Sequence, residues 1–390
     1  MVRVSAVRAF SAGVISVLWL APAAHAEAPA IEWGLAYKGD VTGVVSGGAS
    51  QAGRYLDNID LTADVSLERA LGWRGAHLYA HLLSNAGGAP NDIAGTLQGV
   101  DNIEVARPRA KLYQFWLEQN FAGERGSALV GLYDLNSEFY QSESAGLLIA
   151  PAFGIGSELA ATGPNGPSIF PSTALALRVR WSLNDAQRVQ AAVINASAGV
   201  VGDPSGVDTS FDNGALLIAE WARGGDLQFK LGAWRYSKAQ DDIRDVDALG
   251  APVRRDAQGA YASIEAPLWG GEGSPAVAAF ARVGVADGDT TPYRGGWQAG
   301  VLVTHLFDAR PDSAFSLGLN QGFLDAKFRA NARDGGVEAA AAESALELTY
   351  ADRLGAHLTL QPDLQLVHNP AADRARSDVV VAALRVGLEF

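Results

Sequence analysis

The sequence has no cysteine, so neither a disulfide framework nor a thiolate metal site can form. It also has no apolar run of the roughly 18 residues that would indicate a transmembrane helix, although 48% of its residues are hydrophobic. Basic residues are few, 30 against 43 acidic ones, which argues against a nucleic-acid partner because phosphates need a basic surface. The abundant apolar residues must therefore be distributed in some other way.

The first 26 residues have the pattern of a secretory signal peptide. Two arginines precede an apolar run at 9–20, and 24–26 is a small-x-small cleavage site. That run is too short to anchor the chain, since a membrane span needs roughly 20 residues. We predict a removed signal peptide at 1–26 and one domain at 27–390, whose formal charge is two units more negative than that of the full chain.

Apolar residues recur at every second position, which places them on one face of a strand. In the last segment Leu384, Val386 and Leu388 share one face, and Arg385 and Glu389 lie on the other. The same alternation predicts strands at 59–68, at 358–367 and at 111–121, where Tyr113 shares the apolar face with Phe115. Soluble sandwiches also alternate, so the pattern alone does not decide between water and lipid.

The number of strands and the lengths of their connections favour lipid. The candidate strands are 32–46, 55–70, 75–86, 111–121, 127–139, 173–183, 189–199, 215–223, 226–239, 259–269, 276–286, 296–307, 314–324, 343–353, 357–368 and 377–390. Seven short connections alternate strictly with eight longer ones, which is typical of outer-membrane barrels. We predict an all-β fold: a transmembrane, antiparallel, up-and-down barrel of 16 strands with short periplasmic turns and long outer loops.

Two blocks of sequence resemble the carbohydrate-selective porin family of the OprB type: YQFWLEQNF with 129–156, and 343–390. The matching elements are Trp116-Leu117-Glu118, Gly131 with Asp134, Asn136 and Phe139, and Pro362-Asp363-Leu364-Gln365 with Asn369-Pro370. Residues 185–340 match by strand rhythm alone. The resemblance implies passive diffusion of monosaccharides such as glucose and similar polar solutes, in a barrel surrounded by outer-membrane lipid and lipopolysaccharide. The C-terminal Phe390 of the chain resembles the terminal aromatic residue that the barrel-assembly machinery recognises in outer-membrane barrels.

One candidate substrate-binding patch contains Trp116, Glu118, Asp134 and Asn136, which alternation directs into the lumen. Carboxylates and amides hydrogen-bond sugar hydroxyls, and an indole offers an apolar face to a sugar ring. The alternative is a polar network that holds the following loop, and this is our interpretation of Glu138.

Charged residues on several other strands are further pore-lining candidates: Arg178, Arg180, Lys230, Arg282, Asp363 and Arg385. Opposed basic and acidic groups would set a transverse field that orients solutes and filters ions. The alternative is that each base pairs locally, with Glu220, Glu347 or Asp363.

The longest loop, 140–172, carries only Glu143 and Glu158 as charges. Low charge suits a constriction for neutral solutes, so we expect this loop to fold inward; the alternative is an external cap. A general or weakly cation-selective porin is the second functional hypothesis, and a barrel hydrolase with a Ser–His pair or a closed scaffold are further alternatives. The oligomeric state stays open.

Enzymatic and metal-binding motifs are missing from the sequence: it has no Gly-x-Ser-x-Gly, no His-Glu-x-x-His and no phosphate loop. His77 and His81 could share a strand face, and the acidic segment 241–247 could attract calcium weakly, but neither spacing is good evidence for a metal. We predict no enzymatic activity, no catalytic residue, no metal and no cofactor.

Overall fold

The computed structural model describes residues 29–201, 203, 206–270 and 275–390, so the predicted signal peptide lies outside the described residues. Sixteen antiparallel strands form a closed barrel, which confirms the predicted fold. A further two-stranded sheet lies in one of the connections. Among the described residues, no helix is both long and apolar enough to cross a membrane.

The barrel strands are β1 (Ile31–Ser46), β2 (Gly53–Ser66), β3 (Ala76–Gly87), β4 (Arg109–Phe121), β5 (Gly126–Tyr133), β6 (Ala174–Asn184), β7 (Gln187–Asn195), β8 (Ala215–Arg223), β9 (Gln228–Tyr236), β12 (Gln258–Trp269), β13 (Ala276–Ala286), β14 (Tyr293–Thr304), β15 (Ala314–Leu324), β16 (Ala342–Leu354), β17 (Leu358–His368) and β18 (Val379–Glu389). The extra sheet consists of β10 (Gln240–Val246) and β11 (Pro252–Arg255). Short helices are α1 (Leu67–Leu71), α2 (Asn91–Ala94), α3 (Ser157–Ala160) and α4 (Ala326–Asp334).

The barrel closes where β1 pairs with β18, and in that register Asp40 lies opposite Arg385. The Phe390 N–H donates to the Leu35 carbonyl at 2.9 Å, so the closing strand ends beside the start of the first one. Both ends of the barrel domain therefore lie on the side of the short turns. Closure leaves no unpaired sheet edge, which lipid would not tolerate.

Alternation separates the two faces of the wall as predicted. Leu384 is 44% exposed on the outside of β18, whereas the next residue, Arg385, is 9% exposed on the inside. On β2, Ile59 and Leu61 are likewise exposed on the outer face, while Asn58 is buried on the lumenal face. Period-2 patterning thus encodes an apolar outer surface and a polar inner one.

Three strand ends differ from prediction because a side chain stops the strand. The predicted strand 127–139 ends at Tyr133, where Asp134 accepts the Asn136 N–H at 2.8 Å. The strand predicted to reach residue 199 ends at Asn195, whose side chain accepts a backbone N–H two residues on. Such turns compete with the sheet ladder. Ser66 similarly ends β2 by capping α1.

A β-bulge in β4 overturns the predicted orientation of Tyr113. Opposite this strand, His81 pairs with Gln114 and Leu82 with Leu112, so Tyr113 is the extra residue. It faces the lumen, where its hydroxyl reaches Asp134, and does not share the outer face with Phe115. A bulge inserts one residue and reverses the alternation locally.

Successive connections lie at opposite ends of the barrel, but the predicted strict alternation of short and long connections is wrong. On the loop side, 47–52 and 287–292 are short, while 305–313 on the turn side is longer than either. The loop that follows β9 contains the β10–β11 hairpin, and the loop that follows β15 contains α4, neither of which was predicted.

Candidate functional site

The loop between β5 and β6 (134–173) folds into the lumen, and charged side chains of the wall hold its backbone. Arg282 on β13 donates to the carbonyls of Phe153 at 2.6 Å and Tyr140 at 3.0 Å. Glu265 on β12 accepts the Ser144 N–H at 2.7 Å. The prediction that residues 140–172 fold inward is therefore confirmed.

The same loop packs an apolar core against one side of the barrel. Loop residues such as Phe139 and Leu159 join wall residues such as Ile218, Trp234 and Tyr261 in one buried cluster. This cluster lies against β5–β9 and β12. The lumen is consequently filled on that side, and open space remains on the other.

A second loop, 88–108 between β3 and β4, also enters the lumen. Its Gln98 side chain accepts from the Ser157 hydroxyl at 2.9 Å, which joins the two loops. We did not predict this inward fold. The sequence did contain a signal: Ile93, Val100 and Ile103 are apolar, and a solvated outer loop would leave them exposed. In the structure all three are buried.

The remaining space is a cavity of about 590 Å³, hereafter the channel cavity. Its walls come from β1–β4, β14–β18 and the two inward loops. Cavities of roughly 300–1,000 Å³ are typical of sites that accommodate small molecules.

Polar groups on β2 and β3 form one wall of this cavity. The His81 Nε2 and Asp60 Oδ1 atoms are 2.8 Å apart, and the Asn58 amide donates to Asp60 at 2.6 Å. Lys38 on β1 lines the cavity beside them. The other ring nitrogen of His81, Nδ1, is buried and has no hydrogen-bond partner among the described residues. Donors and acceptors of this kind can exchange hydrogen bonds with sugar hydroxyls.

Of the residues predicted to line the pore, Asp134, Asn136 and Arg385 line the channel cavity. Asp134 accepts a hydrogen bond from the Tyr113 hydroxyl at 2.6 Å. Burial raises the pKa of Asp134, and the bond from Tyr113 opposes that rise. Asn136 donates to the Phe139 and Gly154 carbonyls, so it also holds the turn into the loop.

Trp116 and its neighbours belong to the wall. The Trp116 ring stacks on Tyr79 with 4.9 Å between centroids and packs against the apolar cluster. Arg178 is fully buried between Glu118 at 2.9 Å and Glu138 at 2.6 Å, and Arg180 bonds the same two carboxylates. The bases of β6 therefore pair locally, although with partners other than those predicted.

Lys230 and Asp363 lie on the lumenal face but among buried contacts. The Lys230 ammonium donates to the Gln141 carbonyl at 2.7 Å and so helps to hold the inward loop. Asp363 is buried on β17 and accepts from Gln365 at 2.9 Å.

The outer acidic segment 241–247 is neutralised by a base from another loop. Lys327 on α4 bonds Asp242 and Asp245, and reaches Asp289 at 2.6 Å. Burial alone would raise the pKa of Asp242, but the Asp245 N–H and the Lys327 ammonium lower it to about 2. Within the described ranges, no group of three His, Cys, Asp or Glu side chains is arranged to hold a metal.

A sixteen-stranded barrel with an apolar exterior, inward loops and a polar cavity has the architecture of a porin, a passive channel of the bacterial outer membrane. The sequence model of the carbohydrate-selective porin, OprB family matches residues 50–390, and the chain belongs to this family. It is an outer-membrane porin for the diffusion of small sugars.

Individual proteins are similar to this chain over most of their length. Porin B of Pseudomonas aeruginosa is 23% identical over 401 residues, which cover 91% of this chain and 87% of that protein. A high-pH structure of Pseudomonas putida OprB superposes with a TM-score of 0.80 at 21% identity, covering 93% and 94% of the two chains. The low-pH structure of the same protein gives a TM-score of 0.60 at 17% identity and covers 93% of each chain. These structures support the fold.

Proposed function

We propose that sugars cross the membrane through the channel cavity and that Asp134 and Asn136 contact them there. The observation that carries the proposal is the one-sided lumen: apolar packing fills the side of β5–β9 and β12, while polar groups line the open side. A solute that follows the open side passes Asp134 and the Asp60–His81 pair, which line the cavity on either side of Tyr113.

The other predicted pore-lining residues act, in this proposal, through the shape of the wall. These residues are Trp116, Glu118, Arg178, Arg180, Lys230 and Asp363. None of the six lines the channel cavity, and the charged groups of Glu118, Arg178, Arg180 and Lys230 are engaged with other protein groups that a sugar would have to displace. Buried partners left unpaired in that exchange cost about 1–3 kcal/mol each, which disfavours them as contacts.

Charge in the cavity supports a weak preference for cations as a secondary property. Apart from Asp101, whose pKa is raised to about 7, the acidic lining residues are Asp60, Glu104, Asp134, Asp312 and Glu389, against the basic residues Lys38, Arg353 and Arg385. An excess of carboxylates in a pore favours cations, whereas a neutral sugar is unaffected by the sign of the charge.

The partners in this proposal follow from the barrel. Lipid and lipopolysaccharide surround its apolar face, and the barrel-assembly machinery recognises β18 together with Phe390, which follows it. We propose that the chain is a channel without catalytic activity, made with a signal peptide at 1–26 that is removed on export.

Purified protein in a planar bilayer tests the sugar contact directly. Asp134→Ala removes an acceptor and should weaken the block of ion current by glucose, while Asp134→Asn keeps the shape and should lower cation preference only. Glu68→Gln is the matched control, because Glu68 accepts a backbone N–H at a periplasmic turn, away from the cavity. Unchanged block and reversal potential in both Asp134 variants would place the contacts elsewhere.

A further inference from the structure

Residues 97–102 form one wall of the channel cavity. Leu97, Gln98, Asp101 and Asn102 all line it, although they belong to a loop that begins and ends at the outer rim of the barrel. Irregular backbone inside a lumen has no ladder partner of its own, so other groups must satisfy its N–H and C=O groups and hold it there.

Glu343 on β16 makes the densest set of these contacts. Its carboxylate accepts the Leu97 N–H at 2.8 Å and the Gln98 N–H at 2.9 Å. It also accepts the Ala371 N–H at 2.8 Å, from the loop between β17 and β18. The side chain is 0% exposed. One carboxylate therefore clips two loops to the wall through three backbone donors.

Further contacts hold residues 100–102 against β17 and β18, next to the place where β18 pairs with β1. Gln365 on β17 donates to the Val100 carbonyl at 2.8 Å. Arg385 on β18 donates to Asn102 at 2.7 Å and lies 3.5 Å from Asp101. Three successive strands thus hold one short segment, and Glu343 holds the end that meets the other inward loop.

The chemistry of this clip requires an ionised carboxylate. Both of its oxygens act as acceptors, and charge-assisted bonds to backbone N–H groups are about twice as strong as neutral ones. In Glu343→Gln the amide NH₂ would face backbone N–H groups, which cannot accept its hydrogens, so at least one buried donor loses its partner.

We infer that Glu343 is a positioning residue that sets the size limit of the channel by holding residues 97–98 in the lumen. The inference rests on the channel activity of the family and is independent of the sugar contacts proposed for Asp134 and Asn136. When the clip is lost, the segment moves toward the outer mouth, and the cavity widens on that side.

The test compares wild type, Glu343→Gln and the control Glu68→Gln in liposome-swelling and single-channel measurements with glucose, maltose and maltotriose. Loss of one buried hydrogen bond shifts the docking equilibrium of the segment by about tenfold. Glu343→Gln should therefore raise both conductance and the permeability of maltotriose relative to glucose, whereas Glu68→Gln should match wild type. Heat-dependent gel mobility measures the folded fraction of each variant, and conductance and permeability are compared per folded protein.

A second readout reports on the segment itself. Because the chain has no cysteine, Val100→Cys supplies a single thiol at a fully buried position of the loop. A charged maleimide should label it about tenfold faster in the Glu343→Gln background. Folded Glu343→Gln protein with a wild-type size limit and an unchanged labelling rate would overturn the inference. Wild-type protein that passes no glucose would instead overturn the channel activity, so the two failures are distinguishable.

Discussion

Docking of the loop 88–108 should weaken as the pH rises, because burial raises the pKa of Asp101 in the docked state. Asp101 is buried, accepts the Thr42 hydroxyl at 2.8 Å and the Ile103 N–H at 3.1 Å, and lies near Asp40. Burial and the Asp40 charge raise the pKa of Asp101 to about 7, against the opposing effect of Arg385.

The size of this effect on the docking free energy follows from the difference in the pKa of Asp101 between the docked and the undocked loop. Moving from the ordinary pKa of about 3.8 to about 7 is roughly three units, worth up to about 4 kcal/mol at 1.36 kcal/mol per unit. The pKa is raised in the docked state, so this stabilisation is complete below about pH 4 and is lost as the pH rises to about 7. Within that window the undocked fraction should grow about tenfold per pH unit and then level off.

Single-channel recordings between pH 4 and pH 9 measure this effect as open-channel noise from loop motion. Wild type should become noisier up to about pH 7 and then stay constant. Asp101→Asn mimics the protonated acid and should stay quiet throughout. Equal pH dependence in wild type and Asp101→Asn would show that the reasoning about Asp101 is wrong.

The remaining predictions concern the wall and assembly. Trp116→Ala should lower the temperature of the heat-dependent gel shift, because removing a packed aromatic ring costs about 3–5 kcal/mol; an unchanged transition would contradict the packing role. Arg178→Met leaves Glu118 and Glu138 with Arg180 alone, so the free energy of unfolding should fall by less than the roughly 3–5 kcal/mol of a fully unpaired buried charge, measured as lower resistance to urea than wild type. Deleting Phe390 should reduce the amount of folded protein in the outer membrane much more than the conductance per channel; normal accumulation would count against recognition of the final strand.

The two faces of the barrel wall could be predicted because the alternation of apolar and polar residues is a local pattern in the sequence. Adjacent residues such as Leu384 and Arg385 face lipid and lumen by the geometry of a strand, and the pattern is visible within a few positions. The bulge at Tyr113 could not be predicted, since one inserted residue leaves the flanking alternation intact on both sides. Its effect on the site is large, because it delivers the hydroxyl that bonds Asp134.

The interior of the barrel could be predicted only in part, because its contacts join distant positions. Gln98 and Glu343 meet although 245 residues separate them. Alternation placed Lys230 and Arg282 on the lumenal face correctly, but their partners are loop carbonyls, which carry no sequence signature. Composition did not reveal that these two bases are occupied by backbone.

Occupied wall charges change how the selectivity of this channel should be understood. Arg282, Glu265 and Glu343 satisfy backbone groups of loops that have entered a lumen where ladder partners are missing, and leaving such groups unpaired would be costly. A wall charge engaged in this way is fixed by the loop that it holds and is screened from a passing solute by that loop. The field that a solute meets is therefore set by groups on the cavity surface, such as Lys38 and Asp60, and counting all lumenal charges would misjudge it.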